Sequence, residues 1–259
     1  MNFRQSDKKT LAHFEKREQV AFVKRLDFDG KTVRYVEAGT EENKEVLIIF
    51  VHGAPGSSSD LLSYLSDSSL LEKARMISFD RLGYGYSAYG KAEVSIEEQA
   101  RLVNAFITTA IETKIIIVGH SFGGPIAVKA AVLNPKISGV LMLAPVNDPY
   151  NEKMFWISNV GKWKLTRWVL SSAFKVSADE KFSHEEELLK MEGDWAKIKI
   201  PITHIHGGKD WIAPSSNVKW SKRNIPREYL KLVYQEELDH FIPFKNKELV
   251  VEELLLLVE

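Results

Sequence analysis

The run Gly119-His120-Ser121-Phe122-Gly123 is the part of this sequence best suited to covalent chemistry. It follows Ile115-Ile116-Ile117-Val118, four β-favouring apolar residues that predict a strand buried on both faces. It leads into Ala127-Val128-Lys129-Ala130-Ala131-Val132-Leu133, an alanine-rich helical run. A strand that turns at once into a helix strains its central residue, and neighbours two positions away pack too closely to carry side chains. Such a turn presents the Ser121 oxygen at its tip, and the helix behind it offers free N–H groups to a developing negative charge. Nucleophilic attack by serine is the chemistry that this predicts, given a base to take its proton.

Elements that must position this serine can be read along the chain. Residues 7–20 predict an amphipathic helix over the domain edge, and 20–28 and 31–38 predict strands joined by Asp29-Gly30, a two-residue hairpin turn. Val46-Leu47-Ile48-Ile49-Phe50-Val51 predicts a buried strand ending at His52-Gly53-Ala54-Pro55-Gly56. A helix around 61–71, a strand over 75–79 and an amphipathic helix over 95–112 precede the strand before Ser121. Residues 138–144 predict the next strand. Strands alternating with helices imply an α/β fold, a mainly parallel sheet with helices on both faces. The alternation breaks over 147–195, where Tyr150, Phe155, Trp156, Trp163, Trp168, Phe174 and Trp195 sit in helical patterning. It resumes with a strand over 200–206, then Asp210, a helix from about 214, a strand over 229–234, His240 and a final helix from about 246.

With Ser121 on a strand-turn-helix, Asp210 after a later strand and His240 after the last, the chain resembles the α/β-hydrolase family from about residue 20 onward. His52-Gly53-Ala54-Pro55-Gly56 is similar to the family's oxyanion loop, and Asp80-Arg81-Leu82-Gly83-Tyr84-Gly85-Tyr86-Ser87 to its Asp-Arg-x-Gly-x-Gly-x-Ser loop. Gly207-Gly208-Lys209-Asp210 looks like the acid turn of many members. Leu82 stands where proline is common, a departure expected to affect loop stiffness slightly. The resemblance implies an eight-stranded sheet with its second strand antiparallel, a core over 1–146 and 196–259, and a short helical cap over 147–195.

It also implies roles. Ser121 is the nucleophile, His240 the base and Asp210 the acid that orients the imidazolium, with Asp148 the rival for the acid's place. Ala54 and Phe122 offer the two oxyanion N–H groups, because Pro55 has none to give. His52 and His120 are expected to be structural. Trp156, Trp163, Trp211 and Phe241 are expected to line a substrate pocket. The reaction implied is hydrolysis of a carboxylic ester of small to medium, mostly apolar shape, with no cofactor. Carbon–carbon bond hydrolysis and a ligand-binding scaffold that keeps the fold are the alternatives. A serine here excludes the branches that need a carboxylate nucleophile.

Other classes find little support. Gly83-Tyr84-Gly85-Tyr86-Ser87-Ala88 superficially matches a dinucleotide fingerprint, but no helix opens at its third position. His204, His206 and Asp210 suggest a metal site, against the reading as satisfied core histidines on one strand face. His184-Glu185-Glu186-Glu187 reads as a solvated helix face, or as a place to hold a substrate amine. Lys and Arg total 35 and Asp and Glu total 35, a balance that argues against nucleic acid as partner. The 259 residues contain no cysteine, which removes disulfides and thiolate chemistry. No apolar run is long enough to span a bilayer, so a soluble, cytoplasmic protein is expected, with no oligomeric state implied. Leu254-Leu255-Leu256-Leu257 is expected either to cover the sheet or to meet a second subunit.

Overall fold

A computed structural model of the chain describes residues 3–40, 44–151 and 170–259. Its centre is one eight-stranded sheet in the order β1-β2-β4-β3-β5-β6-β7-β8. The strands are β1 (Ala21–Phe28), β2 (Lys31–Ala38), β3 (Val46–Val51), β4 (Ala74–Phe79), β5 (Lys114–His120), β6 (Ile137–Leu143), β7 (Ile202–Gly207) and β8 (Leu230–Gln235). β2 runs antiparallel to both of its neighbours, and the pairs from β4 through β8 are parallel. The β1–β2 turn places Asp29 and Gly30 at φ of 50° and 74°, the positive dihedrals that a two-residue hairpin turn requires.

The helices are α1 (Asp7–Glu15), α2 (Leu62–Leu65), α3 (Ser68–Lys73), α4 (Ile96–Ile107), α5 (Gly123–Leu133), α6 (Ser172–Lys190), α7 (Ser216–Asn224), α8 (Ile242–Lys245) and α9 (Lys247–Val258). All six residues of β3 are buried, since helices cover both faces of the sheet. Leu47, Ile49 and Val51 pack with Val103 of α4 and Ile126 of α5 on one face. Val46, Ile48 and Phe50 pack on the other with Phe14 of α1, Leu70 of α3, and Val250 and Leu254 of α9. Period-two alternation therefore feeds two cores. The C-terminal leucines divide accordingly: Leu254 is buried against the sheet and Leu256 is exposed.

Between β6 and β7, the described residues include a short 3₁₀ turn (Pro149–Asn151), α6 and a second 3₁₀ turn (Glu192–Lys197). The sequence's Phe155, Trp156, Trp163 and Trp168 lie outside the described residues. Ala173, Val176, Glu180, His184 and Glu187 form the buried side of α6, at helical spacings of three and four. The acidic run is therefore divided: Glu185 and Glu186 are exposed, while His184 and Glu187 turn inward. A Glu187 carboxylate oxygen accepts the Ile96 N–H at 3.0 Å, which satisfies one of the orphan donors at the start of α4. No helix among the described residues is long and apolar enough to cross a membrane.

Candidate active site

β5 ends at His120, and Ser121 follows with φ of 53°, a left-handed conformation that costs a non-glycine residue energy. The reversal brings chain onto chain so closely that side chains are excluded. A Cβ on Gly119 would stand 2.2 Å from the Gly123 carbonyl oxygen, and one on Gly123 would stand 2.3 Å from that of Val51. The serine is held from both sides, its N–H donating to Leu143 O at 2.9 Å and its carbonyl accepting the Gly124 N–H at 3.0 Å.

Three side chains from three separate connections meet here. Ser121 Oγ lies 3.1 Å from His240 Nε2, and His240 Nδ1 lies 2.8 Å from Asp210 Oδ2. With the carboxylate oxygen accepting from Nδ1, Nε2 is left as the ring's acceptor and faces the serine hydroxyl. The second oxygen, Asp210 Oδ1, accepts the N–H groups of Ile212 at 2.9 Å and Ala213 at 2.7 Å, which locks the carboxylate plane. The alternative acid, Asp148, is engaged elsewhere: its oxygens accept Tyr150 N–H at 3.0 Å and Asn151 Nδ2 at 2.8 Å.

The loop after β3 lies against the same turn, where a Cβ on Gly53 would stand 3.1 Å from the Ser121 Cβ. The ring of His52 donates from Nδ1 to Gly53 O at 2.7 Å and accepts the Arg81 N–H on Nε2 at 3.0 Å. Complete burial, with the Arg81 charge beside it, pushes this imidazole well below its usual range, in keeping with a neutral ring whose tautomer those bonds fix. His120 donates from Nε2 to the His240 carbonyl at 3.1 Å, so it holds the loop that carries His240; burial pushes its pKa down to about 3. Among the described residues neither the Ala54 nor the Phe122 N–H donates a hydrogen bond, which leaves both for a ligand.

A cavity of about 430 Å³ opens over Ser121 and His240, a size suited to a small organic molecule. Phe3, Phe174, Ile212, Phe241 and Phe244 form its apolar wall, and Asp60 supplies a carboxylate. Phe241 is thus on the wall that the sequence suggests. Trp211 is not: it is 59% exposed, and the lining at that turn is its neighbour Ile212. Trp156 and Trp163 lie outside the described residues. Sequence patterning singles out neither Phe3 nor Asp60. Phe3 packs edge-on against Phe174 at 5.6 Å, an arrival from the N-terminus that no local pattern announces.

The remaining motifs have structural uses. The 80–87 loop wraps the Asp80 carboxylate, which accepts the Ser58 N–H at 2.8 Å and the Tyr86 N–H at 2.9 Å. Leu82, where the resemblance suggests proline, donates its N–H to Gln99 Oε1 at 3.3 Å, a bond proline cannot make. His204 and His206 form a chain in which Asn147 Nδ2 donates to Ser221 Oγ (2.8 Å), which meets His204 Nδ1 (3.0 Å). His204 Nε2 meets His206 Nδ1 (3.1 Å), and His206 Nε2 donates to Ala213 O (2.9 Å). All four ring nitrogens are engaged.

The model of the alpha/beta hydrolase fold family matches residues 46–167. A proline iminopeptidase of Pestalotiopsis fici is 22% identical over 277 residues, covering 88% of this chain and 96% of that protein. A Mycoplasma pneumoniae protein named as an esterase/lipase is 34% identical over 104 residues, 39% of this chain and 38% of that one. Among solved structures, an esterase from Exiguobacterium antarcticum has a TM-score of 0.72 at 21% identity, over 92% of this chain and 98% of that one.

Proposed function

The chain is an α/β hydrolase by fold, and on that premise we propose that it is a serine hydrolase cleaving carboxylic esters of small, mostly apolar molecules. The observation that carries this reading is His240, which spans Ser121 Oγ at 3.1 Å and Asp210 Oδ2 at 2.8 Å at the floor of the cavity.

In this mechanism Ser121 Oγ attacks the ester carbonyl while His240 Nε2 takes its proton. The carbonyl oxygen gains charge and is received by the Ala54 and Phe122 N–H groups, a pair of donors each worth about 2.7–4 kcal/mol of barrier in such sites. Asp210 stabilises the imidazolium, which then protonates the departing alkoxide. Water, deprotonated by the same histidine, attacks the acyl-serine and releases the acid. The four phenyl rings of the wall suit an apolar acyl or alkyl group.

A second reading is hydrolysis of an amino-terminal amide bond. Asp60 favours it, a carboxylate on the same wall whose pKa burial raises to about 6, with Asp80 nearby adding to the shift. The proline iminopeptidase relative points the same way. Above pH 6 such a group is ionised and suited to an ammonium.

Fluorophosphonate labelling of wild type and Ser121→Ala tests the nucleophile. Label is expected on wild type only, and a Ser121→Ala enzyme that labels and turns over like wild type would sink the mechanism. A p-nitrophenyl ester series of rising chain length, run beside proline p-nitroanilide, separates the two readings. Turnover of the anilide with none of the esters would favour the amide.

A further inference from the structure

Arg81 and Glu180 form a fully enclosed ion pair that the reaction above does not use. Arg81 Nη1 reaches Glu180 Oε1 at 2.5 Å, Nη2 reaches Oε2 at 3.1 Å, and the Tyr84 hydroxyl donates to Oε2 at 2.5 Å. Arg81 has no exposed surface, and Glu180 comes from α6, 99 residues away. A buried pair is weak evidence for stability, since desolvation offsets the attraction. What else the guanidinium touches is more telling. Nη2 also donates to Gly53 O at 3.1 Å, and Nε donates to His52 O at 3.0 Å.

Gly53 O and the Ala54 N–H belong to one peptide unit. That unit is planar and trans, so its N–H points opposite to its C=O. Holding the carbonyl on Arg81 and His52 Nδ1 therefore aims the Ala54 N–H away from them. Two donors on one carbonyl, one of them charged, also polarise the amide and strengthen its N–H as a donor. The guanidinium is a planar fork, so its orientation follows the carboxylate that grips its other edge. α6 meets the second oxyanion residue as well, where the Phe122 and His184 rings lie 4.1 Å apart at 33°. Ala173 and Val176 of α6 pack on Tyr84, with Ala54 against the same cluster.

We propose that Glu180 is a positioning residue for the oxyanion hole: through Arg81 it fixes the Gly53–Ala54 peptide, so that the donor is set by α6 and not by its own loop alone. This rests on the reading of Ala54 as an oxyanion donor.

The test measures kcat, KM and the second-order rate of fluorophosphonate labelling for Glu180→Gln and Tyr84→Phe, with circular dichroism and a thermal melt as checks on folding. Glu180→Gln keeps the shape and removes the charge; kcat is expected to fall about tenfold, with KM within about twofold and labelling slowed by the same factor as kcat. Tyr84→Phe removes one hydrogen bond to Glu180, leaves no charge unpaired and is expected to lower kcat about threefold with the same split. Tyr84→Phe at wild-type kcat overturns the proposal, whether or not Glu180→Gln folds; so does a folded Glu180→Gln that raises KM and leaves kcat alone. A wild type that fails to label overturns the serine-hydrolase reading instead.

Discussion

Two hydrogen-bonded chains of histidine run side by side at the C-terminal edge of the sheet, and what lies at their ends separates them. One joins Asp210 to His240 to Ser121 and ends at a hydroxyl on the floor of the cavity. The other joins Asn147, Ser221, His204 and His206 and ends on the Ala213 carbonyl. The first begins on a carboxylate and ends on a group able to attack. The second begins on an amide and ends on a backbone oxygen; His206 Nε2 stands 4.0 Å from Asp210 Oδ2, but its hydrogen bond goes to the Ala213 carbonyl. They meet at the acid turn, where the Ala213 N–H holds Asp210 and the Ala213 carbonyl is held by His206. On the proposed mechanism, serine and histidine thus serve chemistry in one place and rigidity in the other.

Asp210→Asn should disable the first chain and leave the second intact. An amide presents the wrong donor to Nδ1, so kcat on a p-nitrophenyl ester is expected to drop about 10⁴-fold with the melting curve nearly unchanged. His206→Phe should do the reverse. It keeps the ring volume but leaves the Ala213 carbonyl and the His204 N–H without partners, a loss of roughly 2–6 kcal/mol in urea unfolding at 1–3 kcal/mol per group. The folded fraction should keep kcat within about tenfold. A His206→Phe enzyme as stable as wild type and as inactive as Asp210→Asn would place the second chain in the catalysis.

Acid should expose the same difference through stability. Burial holds His120 and His184 at about 3 and holds His52, His204 and His206 lowered as well, whereas these rings protonate near 6.5 in the unfolded chain. Between those values the unfolded state binds more protons, so stability falls as pH drops from about 6.5 towards 3. Asp60 works against the trend: raised to about 6, it takes up a proton in the folded state first, and adds stability as pH falls from 6 towards 3.8. One carboxyl opposes these five imidazoles and that of His13, which burial also lowers, and the urea midpoint should be lower at pH 5 than at pH 8. His184→Phe should flatten that slope.

How much of this was legible in the sequence depends on distance along the chain. The hairpin at Asp29-Gly30, the elbow at Ser121 and the loop at His52 are local, and the residue types at each already state the backbone they need. The inward face of α6 was legible in principle, because 173, 176, 180, 184 and 187 keep helical spacing; reading 184–187 as a uniformly charged run hid it. What Glu180 does was not legible, since its partner lies 99 residues earlier and only the fold joins them. Phe3 on the cavity wall is a similar case. Trp211 and Ile212 differ by one position in a turn, where no periodicity tells which faces inward.

The smallest expected effect is also the one that fixes the identity of the acid. Asp148 and Asp210 follow adjacent parallel strands, β6 and β7, both are buried, and each accepts the N–H of the residue two positions on. By position alone either could orient a histidine. The difference is in the second oxygen, which Asp210 gives to His240 Nδ1 and Asp148 gives to the Asn151 side chain. An asparagine in place of Asp148 would keep an oxygen for the Tyr150 N–H and would exchange only the contact to Asn151. Asp148→Asn should therefore cost a few tenths of a kcal/mol and leave kcat within about twofold. Asp210→Asn makes the same chemical change one strand over. If the two variants lost activity equally, the imidazole would be drawing on both carboxylates, and the first chain would not begin at Asp210 alone.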